Sequence, residues 1–223
     1  MCGRYTLSSS GETVAEAFDL SEVPQLRPRF NIAPTQEVAA VRRMEGGADR
    51  RLDFLRWGLI PFWAKDPGIG NRMINARSET ASEKPSFRNA IKKRRCLVVA
   101  DGFYEWKKMA EGPKQPFHIR MKGGRPFAFA GLWEHWEGEG EVIDSCTLLT
   151  TRPNPLTAEV HDRMPVILPE KSYDLWLDPT MQDPEQLEPL LTPYPQDEME
   201  AYPVSRFVNK PGNDDPRCIE PVA

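Results

Sequence analysis

Twenty-two prolines spread through 223 residues limit the fold of this chain more than any other feature of its sequence. Proline removes a backbone donor and disrupts a helix interior at a cost of about 3 kcal/mol. At about one residue in ten, it cuts the chain into short elements joined by turns. The prolines are distributed, not gathered in one segment, so they point to a packed domain rich in turns and not to a disordered tail. Apolar residues make up 39% of the chain, enough for a core, and the length suits one β-rich domain of roughly 200–250 residues. No run of about 18 apolar residues occurs, and nothing resembles a signal-peptide hydrophobic region. The expected setting is the cytoplasm, in association with the nucleoid, or the nucleus in a eukaryote, with no membrane partner.

Hydrophobic periodicity outlines the elements. From Ser8 to Leu20, capping residues precede Val14, Ala17 and Phe18 at helical spacing, which predicts a short amphipathic helix. Val38–Val41 and Leu52–Trp57 flank Gly46-Gly47 as a hairpin. Phe87–Arg94 reads as a helix feeding the apolar strand Cys96–Ala100. Phe117–Met121 and Phe127–Ala130, joined through Lys122-Gly123-Gly124, read as a second hairpin. Ser145–Thr150, Val166–Leu168 and Glu198–Val204 are further strands, and Lys171–Leu177 and Pro184–Leu191 are helices. Strands and helices do not alternate as βαβ units, which disfavours a doubly wound sheet. The expectation is an α+β fold: a single domain over residues 1–223 with a bent, barrel-like antiparallel β core and peripheral helices.

Cys2, Cys96, Cys146 and Cys218 form no C-x-x-C pair and have no histidine at a ligand spacing, so no metal site is expected. Cys96 and Cys146 lie in apolar strand-like runs and read as inert buried thiols. In a reducing compartment no structural disulfide is expected. The net charge of −4 argues mildly against bulk electrostatic attraction to nucleic acid. Arginines crowd the first hundred residues, however, and Lys92-Lys93-Arg94-Arg95 adds a basic run, while acid collects at 134–141 and 183–200. A basic face on an acidic protein is compatible with this distribution.

Cys2 is the most informative residue for function. Methionine ahead of a small residue is normally removed, which would leave cysteine at the terminus with its thiol and α-amine on adjacent carbons. In peptides these groups titrate near pH ~8.5 and ~7.7–8.0. A terminal 1,2-aminothiol can condense with an aldehyde to an imine and then close sulfur onto it as a thiazolidine, which no internal cysteine can do. Other polar clusters interrupt apolar context. Glu105 lies between Tyr104 and Trp106 just after an apolar strand; it is either an acid/base group with a raised pKa or a strand-edge glutamate facing solvent. His161 sits in His161-Asp162-Arg163-Met164-Pro165, whereas His118, in an alternating strand, and His135, in an acidic loop, read as structural. Asn75 and Arg77 share the cluster Asn75–Thr80, Thr150 ends a strand, and Trp63 lies on a proline- and glycine-rich loop that suits base stacking.

Six segments in order carry a resemblance: Met1–Tyr5, Arg29–Pro34, Trp57–Pro61, Ile74–Thr80, Ala100–Trp106 and His161–Pro165. Together they resemble the SRAP family (SOS response-associated peptidase), with a motif-bearing core at about 2–210. The resemblance implies an abasic-site processing protein whose mature Cys2 crosslinks covalently to the ring-opened deoxyribose in single-stranded DNA. Its amine would form a Schiff base with the C1′ aldehyde and its thiolate would close the ring, shielding the lesion. It further implies that Glu105 handles protons, His161 promotes opening of the sugar, and Asn75 holds the terminal residue. Arg4 and Arg77 would hold phosphates, Thr150 would touch the sugar, and Trp63 would stack beside a base. The family name also implies a peptidase activity, at least removal of Met1. No cofactor is implied, and a monomer is expected. Two other readings remain open at this stage: a thiol hydrolase using the same Cys2, Glu105 and His161 on peptides, and a non-covalent single-strand-binding module.

Overall fold

The computed structural model describes residues 2–43, 49–138 and 140–222. The chain begins with β1 (Tyr5–Leu7), followed by α1 (Gly11–Phe18), whose Ser10 side chain caps the Thr13 N–H and whose Val14 and Phe18 face the core. β2 (Arg29–Ile32), β3 (Glu37–Arg43), β4 (Arg50–Trp57) and β5 (Asn75–Arg77) come next, then α2 (Ala90–Lys93), β6 (Arg95–Ala100), β7 (Gly102–Lys107) and β8 (Gln115–Met121). The two longest strands, β9 (Phe127–Gly138) and β10 (Glu141–Thr151), lead to α3 (Pro155–Ala158), β11 (Met164–Pro165), β12 (Ile167–Leu168), α4 (Tyr173–Leu177) and β13 (Met199–Pro203).

Five strands close on themselves. β10, β4, β3, β6 and β9 pair in that order, and β9 pairs back to β10 along Glu141↔Gly138 to Leu148↔Gly131. All seams of this barrel are antiparallel except β4–β10, a short parallel contact at Ser145↔Arg56 and Cys146↔Trp57. A second sheet runs β13-β8-β7-β1-β2. Aromatic side chains from both layers fill the space between them. Tyr5 meets Trp57 and Phe129 edge-on at 5.3 and 5.7 Å, and Phe103 meets Phe129 at 6.0 Å. Each such buried ring contributes about 2–3 kcal/mol by area, and each pairing about 0.5–1.5 more. The architecture is therefore the expected α+β fold with a barrel-like core.

Several local expectations need correction. β8 and β9 do not form a hairpin, because both edges of β8 are occupied by β7 and β13. Gly123 and Gly124, at φ 82° and 71°, instead turn the chain out of one sheet, and Pro126, which has no N–H, precedes its entry into the other. His135 lies in β9 and not in a loop; Asp144 and Glu137 lie 2.6 and 3.0 Å from its ring nitrogens. The helix expected at 87–94 shrinks to the four residues of α2. Pro184–Leu190 is 3₁₀, with Pro189 inside it. The antiparallel pairing of β3 with β4 is present, while the Gly46-Gly47 turn lies outside the described residues.

Candidate active site

The N-terminal arm is fixed before it reaches β1. Cys2 is fully buried within the core cluster. Its carbonyl accepts a 2.8 Å hydrogen bond from Asn75 Nδ2. Its thiol points at the Arg4 carbonyl at 3.9 Å, and that carbonyl also accepts the Tyr104 N–H at 2.9 Å. The Arg4 side chain turns inward: Nη1 donates to Asn31 Oδ1 at 2.8 Å and to the Val208 carbonyl at 3.0 Å, with the guanidinium 5.8 Å from the Trp106 ring. Asn31 is itself buried and donates to the carbonyls of Val208, Lys210 and Asn213. On the other flank, the Asp101 carboxylate accepts from Thr6 Oγ1 and from the backbone and hydroxyl groups of Ser8 and Ser9, at 2.6–3.0 Å. A three-residue strand cannot hold itself, and these side chains supply what its ladder lacks.

Glu105 is presented by β7 and is only 3% exposed. Burial disfavours the carboxylate and pushes its pKa from 4.5 up to about 7. The alternative of a solvent-facing glutamate is thus excluded. Burial also pushes the Cys2 thiol well up, and the charge of Glu105 adds to this, so the thiol keeps its proton until a base takes it. His161 Nε2 lies 4.0 Å from Glu105 Oε2. The ring is oriented from behind, where the Arg163 backbone N–H donates to Nδ1 at 3.0 Å. Burial lowers the pKa of His161, and a neutral ring accepting at Nδ1 carries its proton on Nε2, on the side of Glu105. Asp162 Oδ1, 2.9 Å from Nδ1, belongs to a side chain that is almost wholly exposed.

β5 runs parallel to β10 through Leu148↔Asn75 and Thr150↔Arg77. Strand alternation puts Asn75 and Arg77 on one face, about 7 Å apart, with Ala76 buried on the other. Arg77 is exposed. Asn75 Oδ1 is a buried acceptor with no hydrogen-bond partner among the described residues. Thr150 is fully buried; its hydroxyl lies 3.4 Å from the Ala76 carbonyl, under the Arg163 guanidinium. Trp63 and its neighbour Phe62 are 49% and 52% exposed. Their loop is anchored at its base by Gly58 N to Cys146 O, Leu59 N to Met73 O and Ile60 N to Ser145 Oγ, and beyond Trp63 by Trp136 Nε1 to Ala64 O. Phe62 also lines a cleft of about 560 Å³ with Lys92 and Lys93 on its wall.

Cys2, Asn75, Glu105 and His161 therefore converge, with Arg77 on the face of β5 that Asn75 shares and Trp63 on a separate projecting loop. Arg4 and Thr150 sit behind this group, each engaged within the protein. Asn31, Glu79, Asp101 and Arg163 lie inside the sequence motifs, where their local context assigns them no role. Their partners lie 84 to 182 residues away in the chain for Asn31–Asn213, Glu79–Arg163 and Asp101–Ser9, and no local pattern signals such contacts. Among the described residues no group of three or more His, Cys, Asp or Glu side chains is gathered as a metal site, and no helix is long and apolar enough to cross a membrane.

"Abasic site processing protein YoqW" of Bacillus subtilis is 48% identical over 224 residues, covering 99% of each chain. "Abasic site processing protein HMCES" of Gallus gallus is 31% identical, over 88% of this chain and 67% of that protein. A crystal structure of a protein from Bacteroides thetaiotaomicron superposes with a TM-score of 0.89 at 27% identity, covering both chains fully. The sequence profile described as SOS response associated peptidase matches residues 1–211, and the chain belongs to the SRAP family.

Proposed function

We propose that this protein processes abasic sites in DNA by forming a covalent, thiazolidine-linked adduct through the mature N-terminal Cys2. The observation that carries this reading is the setting of Cys2: the second residue of the chain, its carbonyl held by Asn75, beside a carboxyl group whose pKa is pushed up to about 7. Glu105 is then partly ionised at neutral pH and suited to both taking and returning protons. The Cys2 amine adds to the C1′ aldehyde of the opened deoxyribose, and loss of one water gives the imine. The thiol adds across that C=N bond, sulfur to C1′ and its proton to nitrogen by way of Glu105, which closes the ring. The net change is the loss of one water. Closure within one residue has a high effective molarity, on the order of 10⁵ M or more when well oriented.

His161 assists the ring oxygen through its Nε2–H as the closed sugar opens, a role supported by its position 4.0 Å from Glu105. Asn75 Oδ1 offers an acceptor to the Cys2 amine released when Met1 is removed, and removal of Met1 is the peptidase step we assign to the same group of residues. Arg77 holds a flanking phosphate with its guanidinium, and Trp63 stacks beside a base of a single strand. Arg4 acts through the placement of the terminal arm, and Thr150 through the wall behind the sugar. We take the protein to act as a monomer on nucleoid DNA during the damage response. The domain extends past the family profile to about residue 222, since Cys218 is buried against Tyr104 and Val204 bridges Pro221.

Intact-protein mass spectrometry after incubation with an oligonucleotide carrying one abasic site tests the reading. The expected species is the chain without Met1 plus the oligonucleotide minus one water, absent in Cys2→Ala. A chain that has lost Met1, binds the DNA and remains unmodified would refute it.

A further inference from the structure

Arg163 does two things at once. Its backbone N–H caps His161 Nδ1 at 3.0 Å. Its guanidinium forks onto both oxygens of Glu79 at 2.6 and 2.8 Å and donates to the Thr150 carbonyl at 2.6 Å. Glu79 lies in the 3₁₀ turn Ser78–Thr80 directly after β5, and Thr150 pairs with β5 at Arg77. The segment carrying His161 is therefore bolted to the strand that carries Asn75. A paired guanidinium–carboxylate fork fixes direction as well as distance.

We propose that Glu79 and Arg163 are positioning residues for His161, holding its segment so that the ring keeps its proton on Nε2 and faces Glu105. This rests on the abasic-site reading for its consequence, but not for its geometry. Without the fork, Arg163 keeps its bond to the Thr150 carbonyl and the segment keeps the His161 N–H on the Thr157 carbonyl, but the guanidinium loses the paired carboxylate that fixes its direction, and the Arg163 N–H is free to leave Nδ1. The groups facing the ring are Glu105 from β7, Lys114 from the β7–β8 loop, Asp162 beside it, and the charge of the amino terminus. Once the Nδ1 cap is lost, Asp162 at 2.9 Å favours a proton on Nδ1, and the ring drifts to the other tautomer and to easier protonation.

The test uses the full chain labelled with ¹⁵N-histidine, with long-range proton–nitrogen spectra recorded across pH. Wild type should show His161 as the Nε2–H tautomer at neutral pH. Glu79→Ala should give a tautomer mixture with the His161 midpoint moved upward, and Glu79→Gln, which can still accept one bond, should fall between. Glu79 is half exposed, so the fold should persist. Single-turnover crosslinking by Glu79→Ala should slow by about ten- to a hundredfold, with DNA affinity unchanged. An unaltered tautomer and midpoint in Glu79→Ala would overturn the proposal, as would a shifted tautomer with an unaltered rate. A shifted tautomer in a protein whose wild type forms no crosslink would uphold the clamp and refute the abasic-site reading instead.

Discussion

Replacing Glu105 with glutamine should stabilise the protein at alkaline pH while slowing its chemistry. The carboxyl pKa is raised from 4.5 to about 7, chiefly by burial. Below pH 4.5 the group is protonated whether the chain is folded or not, and it costs nothing. Between 4.5 and 7 the folded state binds more protons than the unfolded state, so stability falls as pH rises. Above 7 the loss is complete. At about 1.4 kcal/mol per pH unit of displacement, ionised Glu105 costs the fold about 3 kcal/mol. Glutamine has nearly the same shape and never ionises. Thermal unfolding of wild type and Glu105→Gln at pH 4 and pH 8.5 reads this cost, because groups away from Glu105 titrate alike in both proteins and only Cys2 and His161 beside it feel its charge. Tm should be nearly equal at pH 4, and the variant should be higher by roughly 6–12 °C at pH 8.5 for a domain of this size. An equal gap at both pH values, or a less stable variant at pH 8.5, would show that the carboxylate is well solvated or well paired, and would remove the basis for its acid/base role.

Three further outcomes are expected. Trp63→Ala should leave stability within about 0.5 kcal/mol, as the ring is half exposed. It should weaken binding of a single-stranded abasic oligonucleotide by about 1–3 kcal/mol; anisotropy in a Cys2→Ala background measures this, and unchanged affinity would take the ring out of the DNA path. Arg77→Ala should reduce the slope of log affinity against log salt by about 0.7, the value for one phosphate contact on a single strand, and an identical slope would assign Arg77 elsewhere. Asp101→Ala should cost about 3 kcal/mol or more in urea unfolding, since it strands the donors of Thr6, Ser8 and Ser9. A loss below about 1 kcal/mol would mean that β1 is held by its ladder alone.

Sequence pattern locates what is local. Ser10 and the Val14/Phe18 spacing mark α1, and apolar runs mark β3, β4 and β6. β1 escapes because three residues, Tyr5-Thr6-Leu7, are too few to establish a period, and burial of all three is set by contacts distant in sequence. Local pattern ends β9 near Ala130, because Glu134, His135 and Glu137 look like a solvated loop; in the fold Glu134 is buried against Arg94, and the strand runs on to Gly138. Neither parallel pairing of β10 has a local signature, since register between β5 or β4 and β10 is set only when the barrel closes. The same limit applies to the site. Cys2, Asn75, Glu105 and His161 are visible as unusual residues in apolar or turn context. The grips that hold them, Asn31 on three C-terminal carbonyls and Arg163 on Glu79, are long-range and leave no periodicity.

The inward-facing Arg4 has a temporal consequence. Its guanidinium is shared between Asn31 and the carbonyl of Val208, 204 residues further along, and Asp214 in turn accepts from the backbone N–H groups of Phe30 and Asn31. The residue made among the first is thus sheltered among the last. During synthesis the arm that carries Cys2 is made before the carbonyl of Val208 and the Asp214 carboxylate that secure its neighbours. Asn75, Tyr104 and Asp101 can grip the arm earlier, but Arg4 gains its hold only when residues 208 to 214 have emerged and docked, so under the proposed reading the arm is fully set for selective reaction late in folding.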